Sequence, residues 1–159
     1  MKNKDKEKKI VQMNVLSKTL SRLKHGKQSI VLCHGCFDLM HLGHIKHLQA
    51  AKEMGDVLVV TVTSDEHVKR GPGRPFFNER QRVESIAALD CVDYVAISPW
   101  PTAEEMLKLL KPDYYVKGGD FESAKADATG RLQKEEKVVK SLGESSRSPT
   151  RRFFLPRNS

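Results

Sequence analysis

The sequence predicts an α/β fold, Rossmann-like, with helices on both faces of a mainly parallel sheet, giving three α/β/α layers. Two apolar β-branched runs, 30–33 and 57–63, are typical of buried strands, and an amphipathic segment lies between them. A strand, a helix and a strand within about 35 residues form a βαβ unit, whose two strands are parallel. With 159 residues, 38% of them hydrophobic, the chain suits one globular domain.

The remaining elements follow from periodicity and from helix start and stop signals. Residues 1–9 alternate Lys with acidic residues and are predicted to be a disordered basic tail. One α/β domain is predicted over 10–143, and an irregular tail over 144–159. Within the domain we expect helices over 11–23, 41–54, 78–89, 103–110 and 129–142, and further strands over 92–97 and 114–116.

Turn-forming and polar residues follow several predicted strands. Gly35 to Asp38 follow the first strand, Ser64 and Asp65 the second, and Lys117 to Asp120 the last. Parallel sheets bind ligands beyond the carboxyl ends of their strands, so these residues are expected on one rim.

A pair of histidines opens the helix after the first strand, in the stretch His41-Leu42-Gly43-His44. Helix positions three apart share a face, so the two imidazoles are expected to lie together. The unpaired backbone N–H groups and the positive dipole end of a helix start favour an anion such as phosphate. Gly43 permits close approach of an anion to the backbone. The stretch therefore indicates nucleotide chemistry, although a polar helix cap without catalysis is the alternative.

Cysteine spacing raises a second alternative, a zinc or thiol redox site. Cys33 and Cys36 have C-x-x-C spacing, and the histidines follow. Only four residues separate Cys36 from His41, whereas finger-type sites place about 12–15 residues between their ligand pairs. Cys33 also ends a buried strand, where a small apolar side chain is ordinary. We therefore predict no protein-bound metal.

The net charge of +8 is concentrated near the two ends of the chain. Aromatic residues are few and are not interleaved with basic ones, so nucleic-acid binding is not favoured. No apolar run is long enough to cross a bilayer, and no signal peptide is evident, so a cytoplasmic protein is expected.

The basic Gly/Pro loop 69–75 is interpreted either as a solvated surface connection or as a flap over phosphates.

The motifs Gly35-Cys36-Phe37-Asp38 and His41-Leu42-Gly43-His44 together resemble the paired signature of the cytidylyltransferase-like nucleotidyltransferases. The resemblance runs from about Ile30 to Gly143. The segments Val-Asp-Tyr-Val at 92–95 and Val-Lys-Gly-Gly-Asp-Phe at 116–121 are most similar to the adenylyltransferase half of ADP-heptose synthases.

The resemblance implies transfer of AMP or CMP from an NTP to a sugar or polyol phosphate, with release of pyrophosphate. His41 and His44 would contact the α- and β-phosphates, and Lys46 and Arg82 would add positive charge. Mg²⁺ would accompany the NTP, ATP or CTP, with Asp38 helping through water. The implied nucleotide site comprises Gly35, Cys36, Phe37, Asp38, Gly43, Asp65, Lys117, Gly118, Gly119 and Asp120.

The same resemblance implies the partners. A sugar kinase often accompanies this domain in the related enzymes, and a homodimer is common among them, while the sequence leaves the oligomeric state open. Two alternatives to an ADP-heptose-synthase-like activity remain: a glycerol-3-phosphate cytidylyltransferase-like enzyme, and an inactive remnant that still binds a nucleotide.

The C-terminal residues 144–159 depart from the family pattern. Relatives end with a strand and a Ser/Thr-rich segment that opens a final helix and binds the triphosphate. Here the stretch is rich in Ser, Arg and Pro and lacks strand periodicity, so the last strand and helix are expected to be missing. An out-of-frame reading of the lost ending is one hypothesis, which the nucleotide sequence tests.

Overall fold

A computed structural model describes residues 3–69, 71–118, 130–145 and 151–155. The helices are α1 Asn3–Glu7, α2 Met13–His25, α3 Leu42–Lys52, α4 Glu79–Ala87, α5 Glu104–Leu110 and α6 Arg131–Ser145, with a 3₁₀ turn at Asp65–His67. The strands are β1 Ile30–Gly35, β2 Val57–Thr63, β3 Tyr94–Ser98, β4 Tyr114–Gly118 and β5 Arg151–Leu155. Among the described residues, no helix has the length and apolar character that a membrane span requires.

The five strands form one sheet in the order β3-β2-β1-β4-β5, and every pair is parallel. Cys33 near the end of β1 is in register with Val60 of β2 on one side and with Val116 of β4 on the other. The chain builds the sheet outward from β1 to β3 and then returns to place β4 on the other side of β1. This reversal leaves a crevice at the carboxyl ends of β1 and β4. The predicted fold class is confirmed.

The sheet has a separate hydrophobic core on each face. Alternate residues of β1 point to opposite faces: Ile30 and Leu32 pack with α2, α5 and α6, whereas Val31 and Cys33 pack with α3 and α4. All seven residues of β2 are buried, as expected for a strand covered on both sides. The carboxyl ends of the strands are thereby held in fixed relative positions.

The N-terminal segment corrects one prediction, because residues 3–7 form α1 rather than a disordered tail. The alternation of Lys and acidic residues that suggested a solvated tail also favours a helix, since Lys and Glu have high helix propensity. Lys8 and Asp5 form an ion pair at 3.7 Å. Beyond the helix, Ile10 forms a parallel bridge with Val95, so the chain runs along the outer edge of β3.

The C-terminal segment corrects a second prediction, that 144–159 is irregular and the last strand is missing. The structure contains β5 within this stretch, paired in parallel with β4 from Tyr114↔Arg151 to Gly118↔Leu155. The segment lacks the alternation of a half-buried strand. It has two consecutive phenylalanines, a residue type enriched in strands, and pairing to a neighbouring strand satisfies its backbone groups.

The packing of α2 on the sheet leads to a stability prediction. Leu20 is 1% exposed, whereas Val15 on the same helix is 47% exposed. We expect Leu20→Ala to lower the free energy of unfolding by about 2–5 kcal/mol, through lost burial and the cavity left behind. Val15→Ala should stay within about 0.5 kcal/mol of wild type. Urea unfolding measures both, and equal effects would contradict the placement of α2.

Candidate functional site

The side chains of the two predicted histidines cap the N-terminus of α3. His41 is the N-cap residue, and its Nδ1 accepts a hydrogen bond from the Gly43 N–H at 3.0 Å. His44 reaches back, and its Nδ1 accepts from the His41 N–H at 3.3 Å. This reciprocal arrangement is a capping box. Because each Nδ1 accepts a hydrogen bond, each neutral ring carries its proton on Nε2, the nitrogen farther from the cap.

Neighbouring rings hold the histidine pair in place. The His41 and His44 centroids lie 4.1 Å apart, and the Phe37 ring contacts His44 edge-on at 5.7 Å. A Cβ at Gly43 would come within 2.8 Å of the His41 ring, so only glycine leaves room for the imidazole there. Phe37 has a left-handed backbone (φ 49°), a conformation that is costly for a non-glycine residue and clusters at functional sites.

Asp38, which the sequence suggested as a helper for Mg²⁺, is committed to the loop that precedes α4. Its Oδ1 accepts the N–H groups of Phe76 (2.7 Å) and Phe77 (3.0 Å), and its Oδ2 accepts from Arg74 Nη1 at 2.8 Å. Burial opposes ionisation, but these hydrogen bonds and the Arg74 charge hold the pKa of Asp38 below its usual value. Asp38 therefore ties loop 71–77 to the turn before the histidines.

Arg82 differs most from its expected position. Its side chain is fully buried, and its guanidinium donates to the carbonyl oxygens of Cys36 (2.7 Å), Thr63 (2.8 Å) and Phe77 (3.0 Å). A further donor lies 2.7 Å from Asp65 Oδ1. The prediction that Arg82 reaches the nucleotide phosphates does not match this geometry. We assign Arg82 a positioning role, because it joins three segments of the rim.

A polar cluster lies below the rim at the ends of β1, β2 and β4. His34 Nδ1 is 2.9 Å from the Thr61 hydroxyl. Burial, assisted by the positive charge of Lys117, lowers the pKa of His34 to about 4, so its ring is neutral near pH 7. Lys117 forms a buried ion pair with Glu135 of α6 at 2.7 Å, and the Tyr115 hydroxyl donates to the same carboxylate at 3.3 Å.

The other predicted residues divide between the rim and its surroundings. Asp65 lies on the rim, where its N–H donates to Glu79 at 2.8 Å. Gly35 and Gly118 end β1 and β4, and Cys36 begins the turn that carries Phe37. Lys46 is exposed on α3. The predictions for Gly119 and Asp120 fall outside the described residues.

The described side chains favour neither a zinc nor a thiol redox site. In the part of the chain that the structure describes, no three metal-ligating side chains cluster. Burial raises the pKa of the Cys33 thiol, which makes it a poor nucleophile and a poor metal ligand.

Sequence reasoning missed Arg74, His34 and Glu135 as parts of the site. The loop containing Arg74 was recognised as basic, but nothing in the sequence pairs Arg74 with a carboxylate 36 positions earlier. His34 stands where an apolar strand meets a glycine, and a polar residue at that position was an available signal. Glu135 lies among several charged residues of its helix, and the sequence does not distinguish it from them.

Comparison with known proteins adds the following. Residues 32–151 match the family model described as cytidylyltransferase-like. The chain is similar to the bifunctional protein HldE of Trichlorobacter lovleyi, with 42% identity over 76% of this chain and 25% of that protein. It is 49% identical to HldE of a Nitratiruptor species, over 69% of this chain and 24% of the relative. The chain thus spans about a quarter of the length of these curated relatives.

Solved structures agree with the fold. A lipopolysaccharide core biosynthesis protein from Thermoplasma volcanium has a TM-score of 0.58 and 27% identity, covering 79% of this chain and 96% of that one. A pantoate-beta-alanine ligase from Francisella tularensis has a TM-score of 0.62, covering 94% and 67%; at 15% identity it supports the fold alone.

The buried Arg82 leads to a second stability prediction. Arg82→Met should lower the free energy of unfolding by about 2–4 kcal/mol, because it leaves buried carbonyl oxygens without donors. Arg80→Met on the same helix is the matched control, since Arg80 is 86% exposed and pairs with Glu84 at the surface. Urea unfolding of both variants is the measurement. A loss no larger than that of the control would contradict the positioning role.

His34 predicts a pH dependence of stability. Its pKa is about 4 in the folded chain and about 6.5 when unfolded, so the unfolded chain binds more protons between these values. The contribution of the neutral ring to the free energy of unfolding is fully present above about pH 6.5, and it declines by about 2–3 kcal/mol as the pH falls towards 4. Urea unfolding across this range should show His34→Gln with a flatter profile, and exposed His25→Gln with the wild-type slope. Identical slopes for all three proteins would contradict the assignment.

Proposed function

Because residues 32–151 match the family model, this chain belongs to the cytidylyltransferase-like family, and we propose that it is a nucleotidyltransferase. In the proposed reaction, a phosphate oxygen of the acceptor attacks the α-phosphorus of an NTP. The bond between the α-phosphorus and the bridging oxygen breaks, and pyrophosphate leaves with the negative charge. Such a reaction requires mainly positioning and charge neutralisation from the protein.

The single observation that carries the proposal is the capping box at the start of α3. It fixes both Nδ1 atoms as acceptors, and each neutral ring therefore carries its proton on Nε2. Donors held in advance stabilise charge as it develops on the bridging oxygen without reorganising at that moment. His41 and His44 are accordingly proposed as the catalytic residues, contacting the α- and β-phosphates.

We propose an adenylyl group as the transferred unit and a phosphorylated sugar as the acceptor, as in an ADP-heptose-synthase-like enzyme. The support is the similarity to HldE proteins, at 42% to 49% identity in the examples given. Cytidylyl transfer to glycerol 3-phosphate is the second candidate, and it is equally compatible with the cytidylyltransferase-like family match. A sugar-kinase partner and a homodimer belong to the same proposal.

Mg²⁺ is proposed as part of the nucleotide substrate rather than as a resident ion. Among the described residues, the two rim carboxylates that the sequence suggested are already committed, Asp38 to loop 71–77 and Asp65 to Arg82. Both oxygens of Asp38 accept hydrogen bonds from the loop, and one oxygen of Asp65 is bound to Arg82, so we assign these carboxylates to holding the rim, and Mg²⁺ would enter with the nucleotide. The exposed Lys46 is proposed to contribute positive charge near the phosphates.

A pyrophosphate-release screen tests the proposal. ATP and CTP are each combined with heptose 1-phosphate and glycerol 3-phosphate, and nucleotide affinity is measured separately by calorimetry. Turnover with ATP and the sugar phosphate is the expected result. Affinity without turnover would identify an inactive nucleotide-binding remnant instead, and strongly salt-dependent binding to random DNA would indicate a nucleic-acid-binding role.

Substitutions can separate catalysis from helix capping. His44→Ala should lower kcat by about 10²–10³, the effect of losing one preorganised donor. His44→Gln should lower turnover too while keeping the thermal midpoint, because Gln at this position completes a capping box. His47→Ala, on the next turn of α3, should retain activity. Full pyrophosphate release by the His44→Ala protein would contradict the catalytic assignment.

A further inference from the structure

Loop 71–77 carries a cation, Arg74, that is bound by the turn before the histidine pair and has no part in the chemistry described so far. Arg74 pairs with Asp38 at 2.8 Å. Asp38 precedes His41 by three residues, so their Cα atoms lie at most about 11 Å apart along the connecting chain. The Arg74 guanidinium is therefore bound by the turn that leads into the histidines.

The loop backbone is held without Arg74. Asp38 Oδ1 binds the N–H groups of Phe76 and Phe77, and Arg82 binds the Phe77 carbonyl oxygen at 3.0 Å. Arg74 uses only its Nη1, on the other carboxylate oxygen. Attachment of the loop thus does not account for a guanidinium at this position.

The guanidinium retains capacity to bind an anion. Its side chain is 37% exposed, and within the described residues its Nε and Nη2 have no hydrogen-bond partner. These two groups form the planar fork that matches two oxygens of a phosphate. The carboxylate on Nη1 restricts the rotation of the guanidinium, which lowers the entropic cost of binding.

We propose that Arg74 binds the phosphate of the acceptor and is a specificity-determining residue for phosphorylated acceptors. Asp38 acts as its positioning residue. The inference rests on the proposed nucleotidyl transfer, in which the acceptor phosphate must approach the α-phosphorus from the side opposite to the leaving pyrophosphate. We assign the acceptor phosphate to Arg74 because this cation lies on a segment separate from the histidine pair that is proposed to bind the triphosphate.

Steady-state kinetics of the full chain test the proposal, with pyrophosphate release followed at varied heptose 1-phosphate or glycerol 3-phosphate. Arg74→Gln should raise the KM for the acceptor by about 10- to 100-fold, the effect of losing charge-assisted hydrogen bonds. The KM for the NTP should change by less than about twofold, and Arg74→Lys should restore part of the acceptor affinity. Arg80→Gln, an exposed arginine on α4, is the matched control.

A second measurement does not depend on turnover. Inorganic phosphate and glycerol 3-phosphate are titrated into the wild-type and Arg74→Gln proteins while the amide resonances of Phe76 and Phe77 are followed by NMR. Saturable shifts in the wild type that are lost in the variant support the proposal.

The outcomes separate this proposal from the proposed function. Equal rises in the KM values for NTP and acceptor would overturn the proposal and identify Arg74 as a nucleotide ligand. A lowered thermal midpoint with both KM values unchanged would also overturn it and identify Arg74 as a loop contact. If no NTP and acceptor pair releases pyrophosphate, the proposed function fails, and the titration alone decides whether Arg74 binds phosphate. No shifts in the wild type would then overturn the proposal as well.

Discussion

The architecture of the rim depends on one buried guanidinium. Arg82 donates to the carbonyl oxygens of three segments that are far apart in sequence: the turn after β1, the end of β2 and the loop before α4. Carbonyl oxygens at the ends of strands have no further ladder partner, so a buried donor is needed there. A single planar cation with five N–H groups provides that donor and fixes the spacing of the segments. The histidines, Asp38 and loop 71–77 all take their positions from this arrangement.

Two carboxylates and one imidazole show how local contacts and burial determine the roles of side chains at this rim. Asp38 and Asp65 resemble ligands in the sequence, yet each is committed to an arginine. Desolvation keeps His34 neutral below the rim, close to Lys117, whose charge is balanced by Glu135. The exposed imidazole of His41 belongs to the proposed reactive surface, whereas the groups that are paired beneath it hold that surface in shape.

Local patterns in the sequence were enough to predict four of the five strands and the place of the histidine pair at the start of α3. Six of the seven residues in the run 57–63 are β-branched, and the spacing of His41 and His44 on a helix start requires only local geometry. The predictions fail where long-range contacts determine the position of a side chain or a strand. The direction of Arg82 depends on the packing of α4, and the partner of Asp38 lies in a loop 36 positions away. β5 carries no periodic signal in the sequence, and its parallel pairing with β4 is a long-range contact.

The capping box has an evolutionary consequence. Residues of a catalytic site commonly reduce stability, so a lineage that loses activity gains by replacing them. Here each imidazole accepts a backbone N–H at the start of α3, and replacing an N-cap residue with alanine costs about 0.5–2 kcal/mol. Selection for folding alone therefore maintains capping side chains at both positions, although Ser, Thr, Asp or Asn at position 41 and Glu or Gln at position 44 would serve equally well. A descendant that has stopped turning over substrate should thus keep the caps but drift away from histidine, so a retained histidine pair indicates selection for more than helix stability.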